Sequence, residues 1–267
     1  MTRKITRHAS FQLTLDISEE NFARTPRESQ RNWLLNRIMR EASVELQHLD
    51  AVAPDMIKGS DTPLNMDRVD ENLEDTQIME DWQIPVMQAM AAISTRECAN
   101  GKGDVLEIGF GRGVSASFIQ EYKPGSHTII ECDSQICKRY DTWKNNYPHS
   151  PVRLVQGMWQ NVLTQLSTYD GILFHTYPMN EQDFVDQVLK SSTFAEHFFS
   201  TAAALLRPNG VLTYLTNETD SLSREHQRAL FQHFSSFRLS VINDLDIPDD
   251  SQDSLWQRKL VLVEVVK

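Results

Sequence analysis

The sequence predicts an α/β fold with a mostly parallel sheet, a helical N-terminal extension and an antiparallel hairpin closing the sheet. Three observations carry this. After Gly101, Lys102 and Gly103, short Val/Ile/Leu-rich segments alternate with longer helical patterns, the order of βαβ units. The first of these segments ends in glycines at 109, 111 and 113 that lead into a helical pattern. The last two strand-like segments have no helical pattern between them, so they pair as a hairpin.

Taken in chain order, Thr25, Pro26 and Glu28 form a helix start: an N-cap hydroxyl, a proline at the first helical position, and a glutamate placed to bond back to the cap. Trp33, Leu34 and Ile38 continue at helical spacing, and the helix runs to about Leu49. Residues 51–75 are polar, punctuated by Pro54, Gly59 and Pro63 and rich in acid from Asp61 to Asp75, the texture of a solvated linker. The chain therefore divides into an extension at 1–75, a lid or a dimerisation element, and a folded domain at 76–267. Strands are expected at 104–109, 127–131, 152–155, 171–174, 210–215, 237–242 and 259–265. Helices are expected at 134–146 and 194–206, and a polar loop at 244–257.

A length of 267 residues suits one large domain or one ordinary domain with an appendage. Hydrophobic content of 40%, charged content of 24% and only 10 glycines and 10 prolines exclude collagen-like, low-complexity and wholly disordered chains. With 26 basic against 37 acidic residues the net charge is −11, which argues against a nucleic-acid partner, whose affinity rests on Lys/Arg contacts to phosphate. Cys98, Cys132 and Cys137 are an odd set without a C-x-x-C pair, and no H-E-x-x-H is present, so neither a disulfide framework nor a metal site is expected. No apolar run approaches the roughly 20 residues that span a bilayer, which points away from a membrane. Residues 1–8 lead into no apolar core of a secretory leader, and Asp16, Glu19 and Glu20 come too early for a transit peptide, although Arg3, Thr6, Arg7 and Ser10 suit one. A cytoplasmic location is the expectation.

Chemistry concentrates at Val105, Leu106, Glu107, Ile108, Gly109, Phe110, Gly111, Arg112, Gly113 and Val114, a strand with an acid near its end and a glycine turn opening a helix. Glycine lets the chain turn sharply and its backbone approach a bound nucleotide. A dinucleotide fingerprint has the form G-x-G-x-x-G, and its third small residue is here Val114, which disfavours an NAD-linked oxidoreductase. The form G-x-G-x-G with Glu107 two residues ahead instead resembles the first motif of class I S-adenosylmethionine-dependent methyltransferases. Glu131 ends the next strand about 22 residues after Gly109, where a carboxylate accepts ribose hydroxyls of an adenosyl ligand of either kind. The late run Leu205, Leu206, Arg207, Pro208, Asn209 and Gly210 also resembles a recurrent element of class I methyltransferases, a helix turning into a strand.

The resemblance narrows through five blocks in order: Met79 to Met87, the glycine turn, Ile130 to Cys132, Gly157 to Trp159, and Asp170 to Pro178. Together they are similar to guanidinoacetate N-methyltransferase and related arginine N-methyltransferases over residues 78–267. The resemblance implies a Rossmann-like seven-stranded sheet and S-adenosylmethionine as cofactor, with S-adenosylhomocysteine as product. It implies that Met79, Met87 and Glu107 belong to the cofactor pocket and that Gly109, Phe110, Gly111, Gly113, Val114 and Ser115 wrap its methionyl part. Glu131 would hold the ribose, Cys132 beside it would belong to the same cofactor pocket, and Met158 and Trp159 would sit against adenine.

The chain departs from that pattern at one place that matters. The family grips a guanidinium with one carboxylate in M-E-x-W-E and another in Y-D-T-Y-P, and those positions are here Gln83 and His175. A forked cation pairs best with ionised acceptors, so both losses point away from guanidinoacetate itself. His175 suits a base for another nucleophile, with Gln83 a neutral hydrogen-bonding partner. Glu80, Tyr177, Asn217 and Glu218 are the remaining candidates for the acceptor rim. The expected activity is methyl transfer to a small-molecule acceptor, an amino- or guanidino-type nitrogen. The alternatives are O-methylation of a phenol or carboxylate, and a non-catalytic adenosyl-binding protein.

Overall fold

A computed structural model of the chain describes residues 73–98, 100–179, 183, 187, 191–216, 218–219, 221–247 and 260–267. The expected helix at 25–49 and most of the acidic linker lie outside the described residues, as does Asn217.

The described chain opens with a one-turn helix α1 (Asp75–Ile78), closed at its start by Glu74, whose backbone N–H donates to Gln77 Oε1 at 2.8 Å. A 3-10 turn (Asp81–Gln83) then leads into α2 (Ile84–Ser94), with proline in its first turn. Strand β1 (Asp104–Ile108) and helix α3 (Val114–Glu121) flank the glycine turn. Strand β2 (Ser126–Glu131) gives way to α4 (Ser134–Lys144), whose N-cap Asp133 accepts the N–H groups of Gln135 and Ile136. Strands β3 (Val152–Gln156) and β4 (Tyr169–Phe174) follow, then a 3-10 turn (Phe194–Phe198) continuing into α5 (Phe199–Leu205). The chain ends with β5 (Leu206–Thr216), α6 (Arg224–His233), β6 (Ser236–Ile242) and β7 (Leu260–Val266).

The seven strands form one sheet in the order β3-β2-β1-β4-β5-β7-β6, parallel from β3 to β5 and antiparallel at β7 and β6. All seven expected strands are present, as are the helices expected after the glycine turn, at 134–146 and at 194–206, with bounds shifted by a few residues. Helices α2 and α6 escaped the sequence reading. The expected terminal hairpin forms, but β7 inserts between β5 and β6, so the last strand of the chain lies inside the sheet.

Period-two alternation divides the strands between two cores. Leu106, Ile108, Ile172, Phe174 and Leu212 point toward α5 and α6, packing with Phe199 and Leu230. Val105, Leu173 and Leu262 point the other way, toward α2 and α3, with Val86, Met90 and Ile119. Helix α2 lies so close to β4 that a Cβ on Gly171 would fall 1.7 Å from the Ser94 carbonyl oxygen. At the opposite end of the sheet from the glycine turn, Arg207 bridges Asp104 and Asp170, and Asp170 also accepts the Asp104 N–H at 2.8 Å. Among the described residues no helix is long and apolar enough to cross a membrane.

Candidate functional site

The strand order reverses between β1 and β4, and open α/β sheets bind ligands in the crevice beyond such a point. A cleft opens there along the C-terminal ends of β1, β2 and β4. It has two adjoining compartments of about 740 and 430 Å³, counted with the space open to solvent, that share Gly109, Glu131, Cys132, Thr176, Tyr177 and Met179.

Gly109 and His175 set the floor. The His175 N–H donates to the Ile108 carbonyl at 3.1 Å, and the Gly109 N–H donates to Ile130 at 2.9 Å, so three strand ends are tied together. Gly109 has φ of +93°, and a Cβ there would stand 2.3 Å from the His175 carbonyl oxygen. Only glycine satisfies both constraints.

Glu131 binds the two turns to each other. One carboxylate oxygen accepts the Phe110 and Gly111 N–H groups at 2.9 and 3.3 Å, the other those of Cys132 and Asp133 at 2.7 and 2.9 Å. Sequence reading expected this carboxylate to serve ribose hydroxyls. The structure lines the cleft with it but already directs backbone donors at both oxygens. Cys132, beside it, has its thiol pushed up to about 12, first by burial and then by the Glu131 charge, so it stays protonated.

Met79, Met87, Val114 and Ser115 line the larger compartment with His175. Met158 and Trp159 line the smaller one with Phe194 and His197, and the Trp159 ring meets Phe198 edge-on at 5.0 Å. The imidazole of His175 is half-buried and has no hydrogen-bond partner among the described residues. Burial pushes its pKa down to about 4, which keeps the ring neutral at physiological pH.

Several expected site residues fall elsewhere. Glu107 points away from the cleft because alternation along β1 turns it under α3, where it is fully buried. There it accepts the Ser115 hydroxyl and pairs with His127 Nε2 at 2.9 Å, while His127 Nδ1 meets the Gln120 amide at 2.9 Å. Glu218 turns toward α6 and accepts His226 Nδ1–H at 2.6 Å and the Ser223 N–H at 3.2 Å, so it is not on the cleft lining. Glu80 accepts the Trp82 indole N–H at 2.7 Å. Gln83 stands half-buried at the start of α2, and neither it nor Glu80 nor Gly113 lines the cleft. Arg112 lines the cleft within the expected stretch from Phe110 to Ser115; among the lining residues not foreseen are Phe194, His197 and Asp133, the last legible as an N-cap from the helical pattern that follows it.

The sheet and the glycine turn define a class I S-adenosylmethionine-dependent methyltransferase fold. Residues 56–242 match the family described as Guanidinoacetate N-methyltransferase, and the chain belongs to that family. Among curated proteins it is similar to protein arginine N-methyltransferase 2 of Candida glabrata, 29% identical over 153 residues, covering 55% of this chain and 34% of that protein. The Saccharomyces cerevisiae counterpart is 28% identical over 145 residues, covering 51% and 32%. The chain thus spans about a third of the length of the curated relatives it matches. Among solved structures, TrmN from Thermus thermophilus shares the fold with a TM-score of 0.52 at 15% identity, covering 72% of this chain and 51% of that one.

The cofactor of this family is S-adenosylmethionine, and the residues present fit it. The cleft offers an apolar wall of Met158, Trp159 and Phe194 for a base, a carboxylate edge at Glu131, and a second apolar compartment at Met79 and Met87.

Proposed function

We propose that the chain transfers a methyl group from S-adenosylmethionine to a nitrogen of an amino- or guanidino-type metabolite other than guanidinoacetate, with His175 taking the proton. Bound cofactor supplies a methyl already activated on a sulfonium, so the protein contributes positioning, water exclusion and proton removal. The observation that carries the reading is the neutral imidazole of His175 at the floor of the cleft, beside Gly109 and without a hydrogen-bond partner among the described residues. A neutral ring repels neither the sulfonium nor an uncharged acceptor nitrogen, and it accepts the proton as charge develops on that nitrogen.

The carboxylates that line the larger compartment with His175 support an acceptor that arrives uncharged. Glu131 is held by four backbone N–H groups, and Asp133 caps α4. Gln83, off the lining, has no part in this proposal.

A second reading has its own support: the curated relatives are named protein arginine N-methyltransferases, so an arginine side chain of a protein is the other acceptor to test. Incubation with methyl-labelled S-adenosylmethionine and separate pools of amines, guanidino compounds, phenols, carboxylic acids and arginine-containing proteins decides between them by mass. Label on a small amino or guanidino metabolite other than guanidinoacetate is expected. Label confined to protein arginine would select the second reading, and label on guanidinoacetate would show that the two carboxylate losses had been over-read.

A further inference from the structure

We infer that Arg112 is the carboxylate-binding residue of the cleft and that the carboxylate it takes is that of the cofactor's methionyl group. The inference rests on the cofactor reading above and adds a residue to it.

Among the described residues lining the cleft, Arg112 is the one lysine or arginine. It stands inside the glycine turn, between Gly111 and Gly113, with a side chain only 20% exposed. Its Nη1 donates to the Met79 carbonyl and to Asp81 Oδ1, both at 2.7 Å. Those two acceptors fix one corner of the guanidinium. A guanidinium carries five N–H donors in a planar fork, and no described residue takes the Nη2 or Nε donors. Asp81 is itself 79% exposed, so water weakens its hold on the cation.

The surroundings select the ligand's sign. Val114 and Ser115 open α3 on the same stretch of cleft, and the first N–H groups of a helix lack intrahelical acceptors. An anion there meets the free edge of the fork and the positive end of the helix together. The planar fork matches a carboxylate with two parallel hydrogen bonds, a geometry an ammonium cannot copy. Met79 and Met87 line the same compartment, which places an apolar chain next to an anionic end, the build of a methionyl group.

The competing reading is that Arg112 only ties the Met79 to Asp81 segment to the glycine turn. Titration calorimetry on the full chain separates the two by using S-adenosylhomocysteine and its decarboxylated analogue, which differ by the carboxylate alone. The wild type is expected to bind the first at least ten-fold more tightly. In Arg112→Gln that preference should shrink to less than three-fold, with affinity for the decarboxylated analogue nearly unchanged, and Arg112→Lys should fall between. Equal loss of both ligands, or a preference that survives in Arg112→Gln, would overturn the assignment. A wild type without the preference overturns it even where the variants fail to fold. A wild type that binds neither nucleoside overturns the cofactor reading, and this assignment with it.

Discussion

At the scale of single residues, the proposed chemistry rests on His175. His175→Ala is expected to lower turnover by about 100-fold or more, the usual worth of a general base, while the affinity for S-adenosylhomocysteine stays within about three-fold. Steady-state rates beside calorimetry check this, and unchanged turnover would remove His175 from the mechanism. Its depressed pKa sets a pH test. The acid limb of kcat/KM should lie near pH 4 and not near the 6.5 of an ordinary histidine. The same shift makes the folded chain bind fewer protons than the unfolded one between about pH 6.5 and 4, so stability falls as pH drops through that window. Replacing His175 with glutamine should flatten that fall. Glu218 shows what sequence could not see. It was expected at the acceptor rim, but its carboxylate turns to His226, a residue of the unforeseen helix α6. Glu218→Gln should therefore cost about 1–2 kcal/mol of stability in a denaturant titration, from a weakened buried hydrogen bond, and leave the KM for the acceptor unmoved.

At the scale of elements, strands were legible because β-branched and aliphatic runs bounded by polar turns leave few other readings. Helix α2 was not, because Val86, Met87, Met90, Ala91 and Ile93 are buried around much of its circumference, which hides the one-sided stripe that marks a surface helix. Its contact with β4 carries a prediction. Gly171→Ala would push a methyl group into the Ser94 backbone, and the two elements must separate. Urea unfolding should show a loss of about 1–3 kcal/mol or more, with the midpoint lowered and the slope kept. An unchanged midpoint would mean that α2 and β4 do not meet as described. The Arg207 to Gly210 turn also differs from its expected form: the pairing of Tyr169 with Leu206 jumps to Gly171 with Val211, so the turn is a bulge within β5, with Asn209 at φ of +65°.

At the scale of the whole molecule, the sequence revealed the class through the glycine turn and Glu131, because a nucleotide crevice requires small residues and an acid at fixed points along two strands. It did not reveal that β7 would lie between β5 and β6, since pairing between distant strands leaves no local pattern. Nor did it show that Glu107 would be buried behind the turn, accepting the hydroxyl of the cleft-lining Ser115 and so holding α3 in place. The central claim is that the fold delivers an activated methyl to an acceptor beside a neutral His175. The most direct test is a single-turnover transfer of labelled methyl by wild type and His175→Ala, both saturated with cofactor and offered the acceptor identified from the pools. The account predicts transfer by the wild type and a rate about 100-fold lower or less in the variant at equal cofactor occupancy. Equal rates from the two proteins would contradict it.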